Sequence, residues 1–261
     1  MNALISRRPV AICLSMGKVG STSILRALEM TSYRNAVQHV HFLNKFQLND
    51  VIDEHREAGF KILPAHIYAS KQISKVLPHI DNERVRFICP VRDPVAFSVS
   101  NFFQNPYFFR NEMQSSLDTT SDILSFLASK VLYPQSASMR YWNQWFRVEV
   151  VENLGVNMRN VAFSKDRGWE VYQSEDIRVG VIKLEKMNSV FENFSQDLLG
   201  VRVKLRERAS NERGLRNTMY AKVLEELRVS DDTLDEIYDE DWVKYFYSDS
   251  EIEKFKKRWR S

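Results

Sequence analysis

The 261 residues are enough for one large α/β domain, and area scaling buries roughly three quarters of the unfolded surface without disulfide or metal staples. Hydrophobic residues at 44% and charged residues at 27% exclude disorder, collagen-like repeats and a disulfide miniprotein. With 37 Lys and Arg against 34 Asp and Glu, the net charge of +3 is too balanced to announce nucleic acid, so any anion site must come from local placement.

Arg7 and Arg8 precede an apolar run, 10–14, that is far too short for a signal segment or a membrane span. No other stretch approaches 18 apolar residues, and the expectation is a soluble, cytoplasmic chain without a transmembrane segment. Residues 9–14 form the compact apolar run of a buried parallel strand. A turn at 15–20 and a helix at 21–28 follow, then a weakly alternating second strand at 36–41. Residues 45–58 are polar and helix-like, and Gly59 stops them. A third strand is predicted to begin at 60–63 and end near His66, before a short helix at 71–77. Residues 84–91 are a further strand, and Asp93 with Pro94 opens the next helix as N-cap and first-turn proline. Alternating strand and helix units imply parallel pairing. Beyond residue 105 the pattern changes to helices at 118–130 and 136–153, two strands at 169–172 and 177–184, and amphipathic helices from 187 onward. With no internal repeat or linker, 1–261 reads as a single α/β domain: a central parallel sheet flanked by helices, with a mostly helical C-terminal part. Cys13 and Cys89 sit inside apolar runs and read as buried, reduced thiols.

Only 8 glycines occur, where average usage of about 7% would give roughly 18, yet Gly17 and Gly20 share one strand-to-helix turn. Such a turn points backbone N–H groups and the positive end of a helix dipole outward, which suits a phosphate. Lys18 adds a cation, and Ser21, Thr22 and Ser23 add hydroxyls; a simple turn with capping hydroxyls has the same appearance. It is not a Walker A loop, because no glycine stands at position 12 and Val19 replaces the hydroxyl that would hold Mg²⁺. A second constellation places Arg92 at the C-terminal end of a strand, with Ser100 about two turns into the following helix. A guanidinium fork plus a hydroxyl suits a terminal phosphate, although Arg92 can equally pair with Asp93.

Together, residues 18–23 after a first strand and residues 91–94 with a serine eight positions past the arginine resemble the two nucleotide signatures of sulfotransferases that use 3′-phosphoadenosine 5′-phosphosulfate (PAPS). The resemblance is strongest over 9–103 and implies a P-loop-like sheet. It implies that Lys18, Val19, Gly20, Ser21, Thr22 and Ser23 hold the 5′-phosphosulfate, and that Arg92 and Ser100 hold the 3′-phosphate. The C-terminal part, with Ile237, Tyr238, 246–248 and 255–259, is similar to a bacterial branch described as capsular polysaccharide synthesis proteins. One departure is Phe97, where many carbohydrate sulfotransferases carry a further arginine five residues after the first.

In many members of that family a histidine at the end of the third strand deprotonates the acceptor hydroxyl, which implies His66, with His41 the second choice. An imidazole near its unperturbed pKa of about 6.5 suits that task. His39 and His41 share one strand face and read as a packed pair rather than half a metal site. Tyr141, Trp142, Trp145 and Phe146 can stack on a sugar or adenine, but at helical spacing they read as core. The basic residues within 202–216 are either a solvated face or a lid over the nucleotide. The expected activity is sulfuryl transfer from PAPS, as co-substrate and without a metal, to a carbohydrate hydroxyl; His66 takes the proton and Lys18 stabilises the leaving phosphate. A P-loop-type kinase and a non-catalytic nucleotide-binding protein of polysaccharide assembly are the alternatives.

Overall fold

The computed structural model describes residues 9–33, 36–57, 59–109, 113, 117–158, 160–174, 177–205 and 214–261. In chain order, β1 (Val10–Leu14) leads to α1 (Ser21–Leu28) and β2 (Val37–Val40). Then α2 (Lys45–Glu57) and α3 (Ala65–Val76) lead to β3 (Val85–Val91). Next come α4 (Pro94–Gln104), α5 (Thr120–Phe126) and α6 (Ala137–Phe146), followed by β4 (Trp169–Ser174), β5 (Ile177–Lys183) and α7 (Met187–Leu199). The C-terminal part is α8 (Gly214–Glu226), α9 (Asp231–Asp239), α10 (Asp241–Phe246) and α11 (Asp249–Trp259). The five strands form one sheet in the order β2-β1-β3-β5-β4, parallel except for the antiparallel pair of β4 with β5. The expected α/β class with a largely parallel sheet and a helical C-terminal part is what the chain adopts. Among the described residues, no helix is long and apolar enough to cross a membrane.

Contacts divide the chain into two compact units, one taking the described residues of 1–91 and 145–206, the other those of 92–144 and 207–261. In the first, all five residues of β1 are fully buried, as a central parallel strand covered on both faces requires. Ala11, Cys13, Ile88 and Ile182 join Ile24 and Leu28 of α1 and Phe191, Phe194 and Leu198 of α7 in one apolar cluster. Gly180 lets α7 approach: a Cβ there would stand 2.6 Å from Leu198 Cδ2 and from Phe194 Cε2. Cys13 and Cys89 are free, buried thiols, and burial pushes Cys13 up to about 12, which keeps it an inert thiol.

In the second unit α4 is almost wholly buried, and Asp93 organises its start. The Asp93 carboxylate caps the helix by accepting from Val95 N and Ala96 N, with Pro94 in the first turn. It also accepts from Tyr238 Oη of α9 at 2.7 Å and from Trp259 Nε1 of α11 at 3.0 Å. Burial raises the Asp93 pKa, and these donors oppose the shift. Phe97 is fully buried and stacks on Tyr141, so the position that holds a further arginine in many carbohydrate sulfotransferases is core here.

One expected strand is absent. Residues 60–64 are irregular, and Ile62 is 85% exposed. Gly59 ends the preceding segment in the left-handed region at φ 82°, and Pro64 already occupies the N-cap of α3. Between that helix stop and the proline, residues 60–63 are exposed or half-buried, so no buried run forms, and His66 lies in the first turn of α3 rather than at a strand end. The predicted helices at 118–130 and 136–153 do form, each finishing in a π-helical turn, at Leu127–Val131 and Arg147–Glu152.

Asp93→Ala removes the cap of α4 and strands the Tyr238 hydroxyl and the Trp259 N–H in a buried site. We expect a loss of about 2–4 kcal/mol in urea unfolding. A loss below about 0.5 kcal/mol would show that the buried carboxylate is not the organising group.

Candidate functional site

Because β1 and β2 run parallel, with Cys13 opposite His39 and Leu14 opposite Val40, they end together, and the turn 15–20 leaves the sheet beside His41. Ser15 is fully buried and donates its N–H to the Val40 carbonyl at 3.1 Å. Lys18 is the one non-glycine with positive φ among the described residues, at φ 65°, and Gly20 follows at φ 89°. A left-handed lysine costs about 1–2 kcal/mol, the kind of local strain that collects at ligand clamps. Val19 is buried, so this position presents backbone rather than side chain. Gly20 is the N-cap of α1, without a capping side chain and with no acid in the first turn of the helix. A Cβ at Gly20 would meet Leu184 Cδ1 at 2.7 Å, so the turn packs close against the segment after β5. Ser21 is buried, Ser23 half-buried and Thr22 exposed at the helix start. The positive helix end is therefore not neutralised by its own sequence, which favours an anionic ligand.

Three histidines stand behind this turn. His39 Nε2 lies 3.2 Å from Ser15 Oγ, and His41 Nδ1 donates to the Ser15 carbonyl. The His39 and His41 rings are 4.6 Å apart, and those of His41 and His66 4.4 Å apart, both edge to face. The two candidate bases are thus neighbours, although His66 comes from a helix. Burial is the main force on all three: it lowers His39 and His66 to about 4 and His41 to about 3, with mutual repulsion adding to each shift. The expectation of a base near 6.5 is therefore corrected. Among the described residues, no group of three His, Cys, Asp or Glu is arranged to hold a metal.

The backbone after β2 is gripped by residues that sequence reading did not single out. Trp145 Nε1 donates to the His41 carbonyl at 2.8 Å. One turn further along, Glu149 Oε2 accepts from Leu43 N at 2.7 Å and Asn44 N at 3.0 Å. Burial raises Glu149 to about 7, against the pull of those two N–H groups. The signal available was an isolated glutamate four residues after a tryptophan, inside an apolar helical run. Trp142, Trp145 and Phe146 are core, as their spacing implied.

Arg92 and Ser100 belong to the second unit. Arg92 is half-buried, and its carbonyl accepts from Trp142 Nε1 at 3.1 Å; Ser100 is buried on α4. In the basic stretch, Arg202 and Lys204 are exposed, and residues 206–213 lie outside the described residues.

Residues 126–248, a little under half of the chain, match a family model described as "Putative capsular polysaccharide synthesis protein". No curated protein and no solved structure gives a significant match.

Two outcomes test this geometry. Lys18→Gly relieves the left-handed strain, so the melting temperature should rise, equivalent to about 0.5–1 kcal/mol, while Lys18→Ala brings no such gain. Equal stability of the two variants would remove the strain. The second concerns pH. In the unfolded chain each histidine takes a proton near 6.5, whereas in the folded chain His39 and His66 wait until about 4 and His41 until about 3. Between those values the unfolded state binds more protons, so stability falls as pH drops from about 6.5 toward 4. Glu149 acts oppositely, holding its extra proton in the folded state up to about 7. The three histidines outweigh Glu149 and Asp93, whose pKa burial also raises, and leave a net loss of about 1–2 kcal/mol per pH unit near pH 5.5, read from urea midpoints. A midpoint that holds level from pH 6.5 to 5 would contradict the burial of the histidines.

Proposed function

We propose that the protein transfers a sulfuryl group from PAPS to a hydroxyl of a carbohydrate acceptor. The observation that carries this reading is the turn 15–20: a strained lysine and a left-handed glycine, between a buried parallel strand and a helix start without acids. Two further features support it. The turn and the Arg92–Ser100 segment resemble the sulfotransferase nucleotide signatures, and the match over 126–248 points to capsular polysaccharide synthesis.

The acceptor oxygen attacks sulfur in line while the bond from sulfur to the 5′-phosphate oxygen breaks. The acceptor proton passes to the His66 imidazole. The departing phosphate oxygen keeps the electron pair, and Lys18 with the N–H groups of 18–23 meets its growing charge. Such catalysis is positioning plus preorganised electrostatics. For the 3′-phosphate, the resemblance implies Arg92 and Ser100. Val19, at the place where a kinase loop holds its Mg²⁺ hydroxyl, weighs against phosphoryl transfer from ATP.

Turnover of PAPS with capsular oligosaccharide acceptors, read as release of adenosine 3′,5′-bisphosphate, is the direct test. No release with any such acceptor, together with tight binding of ATP and Mg²⁺, would favour the kinase. Nucleotide binding without turnover would favour a non-catalytic role. EDTA should leave the rate unchanged. Arg92→Ala should weaken the 3′-phosphorylated nucleotide about ten- to a hundredfold more than its analogue lacking that phosphate, and equal losses in calorimetry would refute the clamp.

His66→Ala should lower kcat by about 10²–10⁴ with product nucleotide still bound. In the parent enzyme kcat/KM should stay level from pH 8 to about 5 and fall near 4, since only the neutral ring accepts a proton. In kcat the fall should come at higher pH, because the bound donor's negative charge favours the imidazolium. A break in kcat/KM at 6.5 would remove His66 from the role of base.

A further inference from the structure

We infer that His41 is a positioning residue, which ties the start of the phosphate turn to His66 by donating from Nδ1 to the Ser15 carbonyl. This rests on the reading of His66 as the proton acceptor. Ser15 meets β2 and the residue after it through all its polar groups: its N–H reaches the Val40 carbonyl, its hydroxyl meets His39, and its carbonyl takes the His41 proton. A fully buried residue held in this way is the fixed point from which the chain rises to the strained Lys18 three residues later.

The other side of His41 is equally constrained. Its carbonyl is held by Trp145, and Leu43 and Asn44 are held by Glu149. Its ring edge rests against His66 at 4.4 Å, with 73° between the planes. One imidazole thus joins the turn that would grip the donor to the ring that would take the acceptor proton. A neutral histidine that donates through Nδ1 carries no proton on Nε2, so the contact also fixes the tautomer. Burial makes His41 a weaker base than His66, in keeping with a holding role.

The test separates holding from proton transfer by comparing His41→Asn with His41→Ala. The asparagine amide can donate to the Ser15 carbonyl from nearly the position of Nδ1 but cannot act as a base. We expect His41→Ala to raise the KM for PAPS and lower kcat, with kcat/KM down about 30- to 100-fold, and His41→Asn to return within about fivefold of the parent. Equal losses in both variants would make the ring itself the reacting group, and a parental rate in His41→Ala would leave it without a role; either overturns the inference. A parent protein without PAPS turnover would defeat the proposed function separately. The inference is then decided by ¹⁵N histidine spectra of the parent protein at pH 7. A His41 ring protonated at Nδ1 upholds it, and one protonated at Nε2 overturns it.

Discussion

Parallel pairing of β1 with β2 and β3 is the constraint on which the candidate site depends. Parallel strands cannot be joined by tight turns, so each connection is long and every strand delivers its C-terminal residue to the same edge. At that edge the chain must leave a sheet buried on both faces, and the exposed backbone groups need new partners. Ser15 finds its partners on the neighbouring strand. That is why His39 on β2 and His41 just after it hold the start of the turn after β1.

Among the described residues, three buried charged groups are tied to the backbone within their own unit. In the second unit Asp93 accepts from two backbone N–H groups and two side chains. In the first, Glu149 accepts from two backbone N–H groups, and the fully buried Lys183 donates to the Lys165 carbonyl at 2.7 Å. A buried group left without partners costs about 1–3 kcal/mol, more when charged, so these groups act as fixed points within their units. The Glu149 clamp fixes the backbone just beyond the short strand β2, at Leu43 and Asn44.

The same burial that orders the histidines makes them weak bases. A ring lowered to about 4 is neutral at pH 7 and ready to accept, but its driving force for proton transfer is small. Under the proposed function the donor's charge would compensate, because an anion close to the ring stabilises the imidazolium. On that reading an acceptor proton would be taken efficiently only when the nucleotide is in place.

What the sequence determined by itself is local. Apolar runs of five to seven residues gave β1, β3 and β5; the Asp93-Pro94 pair gave the start of α4; and the turn with Gly17 and Gly20 marked the phosphate-like loop. Each of these is written in neighbours a few residues apart, through side-chain period, capping and backbone freedom. What tertiary structure decided lies between distant residues. His66 was legible as a candidate, but its place on a helix was not, because residues 60–63 find no burial and Pro64 starts a helix instead. The roles of Tyr238 and Trp259, 145 and 166 residues from Asp93, and of Glu149 on Leu43, 106 residues away, have no local periodicity to announce them. A buried donor or acceptor is satisfied by whichever chain the packing brings within about 3 Å, and that choice is made by the assembled core rather than by any segment alone.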